Sequence, residues 1–267
     1  LLRILSGQEE ADGGQIKVPG GCRIGYLPQE LAASEAAGSA LDTVLEGRRD
    51  LLELEAELHE AEELLESGEP KAVRRHAEIL EQYEEKGGWT FRSRARQIAR
   101  GLGFSEDELD RPIATFSGGW QMRALLGRLL LSKPDVLLLD EPTNHLDTES
   151  LEWLEDFLLR YEGTVVVVSH DRWFLNRVAQ YVVELQGGHL TEYPGNWDDY
   201  RRRKAERIER LEAAANRQER EAARGRAFIE RFRYKATKAK QVRSRERALE
   251  KQERIDVPTD EVRDIRF

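Results

Sequence analysis

Residues 136–147 read VLLLDEPTNHLD. The apolar run has none of the polar alternation of a half-exposed strand, so it predicts a strand buried on both faces of a parallel sheet. It ends in two adjacent acids, Asp140 and Glu141. Ligands of open α/β sheets sit at the carboxyl ends of the strands. A carboxylate pair there suits nucleotide hydrolysis: Asp140 would hold Mg²⁺ through water, and Glu141 would orient or deprotonate the attacking water. A bare acidic pair is better read as a helix cap or a solvated turn; the full twelve-residue string favours the chemical reading.

The surrounding segments extend this pattern. TFSGGWQMR (115–123) opens a predicted helix with Ser117, Gly118 and Gly119. The free N–H groups of a helix end attract anions, and glycines let a phosphate come close. Taken alone, SGG is an N-cap with a flexible turn; its position before the acidic strand favours phosphate. Gln29 follows the strand-like RIGYL (23–27), where it could reach a metal or the attacking water. His170 follows TVVVVS (164–169), a second apolar strand, where an imidazole can contact a terminal phosphate. By themselves, a loop glutamine and a strand-end histidine are ordinary surface residues. Asp147 is both the natural N-cap of a helix over 148–161 and a polar group beside the acidic strand.

The rest of the chain reads in blocks. QIKV (15–18) and RIGYL predict short strands around Pro19-Gly20-Gly21, and residues from about 41 to 110 are helical in pattern, with breaks at 68–70 and 87–88. Helices near 118–132, 148–161 and 171–178 alternate with the strands, which is βα alternation. Residues 181–185 and 189–193 predict a closing strand pair around Gly187-Gly188. Beyond Pro194-Gly195, with Asn196 as the cap, a highly charged helix is predicted from Trp197 to Phe232. A second runs to about Ile255, and EVRDIRF (261–267) begins a new strand-like run.

The 267 residues carry a formal charge of −9, unevenly spread. Residues 201–254 hold 20 Lys and Arg against 9 Asp and Glu, whereas residues 41–85 hold 15 acids against 5 bases. One basic segment in an acidic chain points to a polyanion partner or to a solvated helix with Arg in surplus. Arg231, Arg233, Lys235, Lys238, Lys240 and Arg243 cluster around the predicted hairpin tip. Phe232 and Tyr234, set among them, either stack on unpaired bases or pack the two helices together. The single cysteine, Cys22, excludes a disulfide framework and a Cys-based zinc site and fits a reducing compartment. No run of about 18 apolar residues exists to span a membrane.

FSGGWQMR resembles the signature motif of the ATP-binding cassette superfamily, VLLLDEPTNHLD its Walker B strand with the D-loop, and VVVVSHDRWFL its switch-histidine region. With DEPTNHLD, the charged hairpin opening YPGNWDDY and containing RFRYKATKAKQ resembles the ABC-F subfamily of ribosome-associated tandem-cassette ATPases. The resemblance implies an α/β fold: a P-loop-type ATP-binding cassette, truncated at the N-terminus, with a helical subdomain and then a long antiparallel helical hairpin. It implies a partial cassette over 1–195 (helical insert about 41–132), a hairpin linker over 196–256 and the start of a second cassette over 257–267.

The resemblance also implies roles. ATP and Mg²⁺ are the cofactors. Gln29 is the Q-loop residue. Ser117, Gly118 and Gly119 contact the terminal phosphate of ATP bound on the opposite cassette. Asp140 is the metal-associated acid, Glu141 the catalytic base, Asp147 the D-loop acid and His170 the switch histidine. The implied partners are the ribosome, through rRNA and tRNA, and a second cassette of the same full-length chain, in a cytoplasmic protein with no membrane. GxxxxGK[ST], the phosphate-cradling loop, does not occur in the chain. The expectation is an interior piece of a longer protein, inactive alone. The competing readings are the nucleotide-binding subunit of an ABC transporter, for which the basic hairpin has no evident use, and a degenerate structural scaffold, against which the intact acids and His170 stand.

Overall fold

The computed structural model describes residues 1–30, 38–65, 70–232, 234 and 238–250. The chain divides into two compact units, residues 1–178 and 179–267.

In chain order the first unit contains α1 (Leu2–Leu5), β1 (Ile24–Leu27), α2 (Ala40–Leu45), α3 (Arg49–Leu65), α4 (Pro70–Glu85), α5 (Gly88–Gly101), α6 (Glu106–Leu109), α7 (Gly118–Ser132), β2 (Val136–Asp140), α8 (Thr148–Leu159), β3 (Thr164–Val168) and α9 (Arg172–Val178). Its sheet is parallel, in the order β1-β2-β3. Leu27 lies opposite Leu139, and Asp140 opposite Val168, so the three strands end together. Leu137, Leu138 and Leu139 are at most 1% exposed. Each contributes about 2 kcal/mol by leaving water, which is why the unbroken apolar run occupies the centre of the sheet.

Two strand expectations are corrected. The first is QIKV, which forms no strand: Ile16 and Val18 are each 47% exposed. The 19–22 turn closes through Cys22 N–H to the Pro19 carbonyl (3.1 Å), but β1 pairs with β2 and leaves the preceding segment without a ladder. The second is TVVVV, which is a strand but is not buried on both faces. Among the described residues it pairs on one side only, and Val166 and Val168 are 36% and 45% exposed.

The helices follow local rules. The α2 helix starts at a reciprocal cap in which Asp42 N–H donates to Ser39 Oγ (3.1 Å) and Ser39 N–H to the Asp42 carboxylate (2.9 Å). The α3 helix buries Leu51, Leu54, Leu58 and Ala61, one face at 3.6-residue spacing, and leaves its acids in water. The α7 helix packs against α2, α5 and β1, and a three-residue link joins it to β2.

The second unit contains β4 (Tyr181–Gln186), β5 (His189–Pro194), α10 (Trp197–Phe232) and α11 (Ala239–Glu250). β4 and β5 form an antiparallel hairpin. Asn196 caps α10 as expected: its Oδ1 accepts from Asp199 N–H at 3.1 Å. Gly195 has φ +107°, and a Cβ there would lie 2.4 Å from Asp199, so the turn admits only glycine. At 36 residues, α10 is about 54 Å long. Its root is held by Glu184, which accepts from Tyr200 Oη (2.8 Å) and Tyr193 Oη (3.3 Å) and pairs with Lys204 Nζ (2.8 Å). Farther along, α10 packs on α11: the Arg245 guanidinium sits 3.7 Å from the Phe228 ring centre, and Gly225 lies against Leu249. Residues 251–267, with the end of the second predicted helix and the strand-like run, fall outside the described residues.

Candidate functional site

Because the three strands end in register, the residues that follow them share one edge. Gln29 follows β1 and is exposed, Asp140 ends β2, Glu141 follows it, and Ser169 and His170 follow β3. Glu141 is a non-glycine residue at φ +49°, a left-handed conformation that costs of order 1–3 kcal/mol and persists only where the surroundings enforce it. They do: Glu141 N–H donates to the Val168 carbonyl at 2.8 Å, and His170 N–H donates to Glu141 Oε2 at 3.3 Å. The Glu141 side chain is 5% exposed, and its Oε1 is buried without a hydrogen-bond partner, 3.6 Å from Nε2 of an otherwise exposed His170. An unsatisfied carboxylate oxygen in a buried site is costly unless a donor arrives. Asp140, half-buried, is approached by Tyr26 Oη at 3.5 Å; burial first, then the Asp140 charge, push the Tyr26 hydroxyl pKa up.

The SGG segment borders the loop that leaves this pair. Ser117 is the N-cap of α7 in extended conformation; its hydroxyl makes no capping bond and is exposed. A Cβ on Gly118 would meet open space, whereas on Gly119 it would lie 3.4 Å from His145 Nδ1. Ser117–Gly119 is thereby placed against the 143–147 loop. Thr143 Oγ1 and Ser169 Oγ lie 3.2 Å apart and tie that loop to the end of β3. Asp147 caps α8, accepting from Ser150 N–H at 2.9 Å, and pairs with Arg123 Nη1 at 2.8 Å. The Ser150 amide above all, then Arg123, hold its carboxyl pKa down to about 2.

Mg²⁺ prefers hard oxygen donors and is held by one or two carboxylates with water and substrate phosphates. Asp140 and the Gln29 amide are donors of that kind, and the orphaned Glu141 oxygen suits a bound water. Among the described residues no group of three or more His, Cys, Asp or Glu is arranged so that it could hold a metal ion. The chain's own residues therefore fit a phosphate-borne Mg²⁺ and not an all-protein cage.

Two family models match, both described as ABC transporter, over residues 1–144 and 183–267. The chain belongs to the ATP-binding cassette family. It is 40% identical over 255 residues to the probable ATP-binding protein YheS of Escherichia coli K12, covering 96% of this chain and 39% of that protein. It is 35% identical over 251 residues to the uncharacterized ABC transporter ATP-binding protein YkpA of Bacillus subtilis (94% and 46%). With Haemophilus influenzae Uup it shares 38% identity over 217 residues (81% and 33%). These relatives are of the ABC-F type, and the chain spans less than half the length of each. Among solved structures, the ATP-binding subunit of an ABC transporter matches with TM-score 0.52 at 17% identity, covering 76% of this chain and 75% of that one. An archaeal ribosome recycling factor solved with a ribosomal stalk protein matches at 0.50 and 20% (77% and 34%). At these identities the likeness is one of fold. Among the described residues, no helix of this cassette chain is long and apolar enough to cross a membrane.

The candidate nucleic-acid residues lie in the second unit. Arg231, Lys240 and Arg243 are exposed and Lys238 is half-buried; Arg233 and Lys235 fall outside the described residues. The two aromatics separate: Phe232 packs on Phe228 at 4.7 Å between ring centres, whereas Tyr234 is 93% exposed. Sequence reasoning gave no role to Tyr26, Thr143, Ser169 or Arg123. For Arg123 a signal was present: it lies four residues from both Gly119 and the buried Gly127, so it shares the packed face of α7 with them.

Proposed function

We propose that the longer protein to which this chain belongs is an ATP-hydrolysing, ABC-F-type translation factor that uses ATP-driven cassette closure to position its basic hairpin near tRNA and rRNA. The observation that carries the hydrolytic part is the buried Glu141 Oε1 at the shared strand edge, which has no hydrogen-bond partner and lies 3.6 Å from His170 Nε2. There Glu141 accepts a hydrogen bond, and then a proton, from an attacking water. His170, exposed and hinged on Glu141 through its amide, contacts the terminal phosphate. Asp140 and Gln29 would hold Mg²⁺, which would neutralise phosphate charge. The amino-terminal end of α7 presents Ser117, Gly118 and Gly119 to phosphate on an opposing cassette. Asp147, rigid at its cap, borders that interface.

The organisation that goes with this reading is a partial cassette over 1–195, the linker over 196–256 and the start of a second cassette over 257–267. The ribosomal part rests on the hairpin. A helix about 54 Å long, rooted by Glu184 and carrying exposed Arg231, Lys240, Arg243 and Tyr234 toward its far end, suits RNA phosphates and unpaired bases.

In the full-length protein, Glu141→Gln should retain ATP binding and lower turnover by about a hundredfold or more. Unchanged turnover removes Glu141 from this role. Reversing the charge at Arg233, Lys235, Lys238 and Lys240 should abolish co-sedimentation with ribosomes; retention at ordinary salt would mean that these bases are solvated and that the tip makes no RNA contact. The 267-residue chain alone, without a GxxxxGK[ST] loop, should show no turnover above that of its own Glu141→Gln variant.

A further inference from the structure

One buried side chain joins three segments around the phosphate-facing end of α7. Arg123 is 9% exposed. Its Nε donates to the His145 carbonyl at 2.6 Å, and its Nη1 donates to the Leu102 carbonyl at 3.1 Å and to Asp147 Oδ2 at 2.8 Å. Its guanidinium carbon lies 4.4 Å from the Trp120 ring centre. The end of α5 is shaped to admit it: Gly103 has φ +96°, and a Cβ there would come within 2.6 Å of Nη1. One turn earlier on α7, Gly119 lies against His145. Arg123 thus fastens α7 to the 143–147 loop one turn from the Ser117–Gly119 end, where Gly119 lies close to His145, and Glu141 stands two residues before that loop. A lysine would keep the charge but not the planar fork that reaches two carbonyls and a carboxylate together.

We infer that Arg123 is a positioning residue that makes the Ser117–Gly119 helix end and the 143–147 loop move as one, so that phosphate engaged at the helix end sets where Glu141 stands. This rests on the ATPase reading and adds to it a route by which the site on one cassette is tuned by the nucleotide on the other. The bonds of Arg123 run to the loop and to the end of α5, so its effect passes through the loop.

The test uses the full-length protein with Arg123→Lys, Asp147→Asn and the double variant. Arg123→Lys should lower kcat about tenfold to a hundredfold, the size expected from misplacing a catalytic group by about 1 Å, while KM for ATP changes less than about threefold. The double variant should lose little beyond Arg123→Lys alone, because the two residues act as a pair. Equal losses in kcat and ATP affinity, kcat within about twofold of wild type, or full additivity would each overturn the inference. A second measurement needs no turnover: hydrogen exchange with and without a non-hydrolysable ATP analogue. Amides of 143–147 should gain protection on binding in the wild type and not in Arg123→Lys. Equal protection in both, or none in the wild type, also overturns it. Turnover surviving Glu141→Gln defeats the ATPase reading instead, and the exchange result still decides whether the helix end and the loop are coupled.

Discussion

Replacing Asp147 separates two effects that the structure superimposes on one carboxylate. Its Oδ1 accepts from Ser150 N–H at 2.9 Å as the N-cap of α8, and its Oδ2 pairs with Arg123 Nη1 at 2.8 Å. Asparagine caps as well as aspartate, while alanine does not; losing the cap costs about 1 kcal/mol. A carboxyl pKa lowered from 3.8 to about 2 would be worth about 2.4 kcal/mol at full strength. The Asp147 side chain is 54% exposed, and screening by water cuts this to about 1 kcal/mol. Asp147→Asn should therefore cost about 1 kcal/mol near neutral pH, and Asp147→Ala about 2 kcal/mol. The sign with pH follows from the lowered pKa: the charge-dependent part is fully present above the unfolded-state value of 3.8 and is lost as the pH falls through about 2. Urea unfolding of the chain, followed by tryptophan emission, measures it as the gap between wild type and Asp147→Asn. The gap should be constant above about pH 5 and should narrow below 3.8. An Asn deficit unchanged down to pH 3, or an Ala variant as stable as the Asn variant, would refute the division into cap and charge.

Phe174, fully buried on α9, should cost about 3–5 kcal/mol when replaced by alanine; a loss below about 1 kcal/mol in urea unfolding would mean that α9 is not packed as described. Gly101→Ala places a methyl 2.0 Å from the Trp153 indole, so the ring must shift, at about 1–3 kcal/mol; an unchanged Tm would contradict that close approach. The Tyr200 hydroxyl pKa is pushed up to about 12, by burial first and by Glu184 next. Glu184→Gln should lower it, because removing a negative neighbour favours the phenolate, and pH-dependent tyrosine absorbance would show one tyrosine titrating earlier. No change would remove Glu184 from the root of α10.

The elements were largely legible because their causes are local. The VLLLD run, the helix over 118–132, the Asn196 cap and the end of α10 at Phe232 all stand where spacing and capping put them. QIKV and the burial of β3 were not legible. An apolar run records that a residue avoids water; whether a partner strand or a covering face lies nearby depends on distant parts of the chain. The aromatics at the hairpin tip were ambiguous too, since the sequence does not say that Phe232 packs on Phe228 while Tyr234 stays in water.

The sequence alone determined the chemistry available: two acids after a buried strand, a glycine-rich helix start, and a histidine after a second strand. Tertiary structure decided which of these groups meet. Parallel pairing in register brings Asp140, Glu141 and His170 to one edge. The left-handed turn at Glu141 buries one carboxylate oxygen without a hydrogen-bond partner, and Arg123 crosses from α7 to a loop some twenty residues away. Such contacts between residues far apart in the chain are set by the packing of whole elements, which no local pattern encodes.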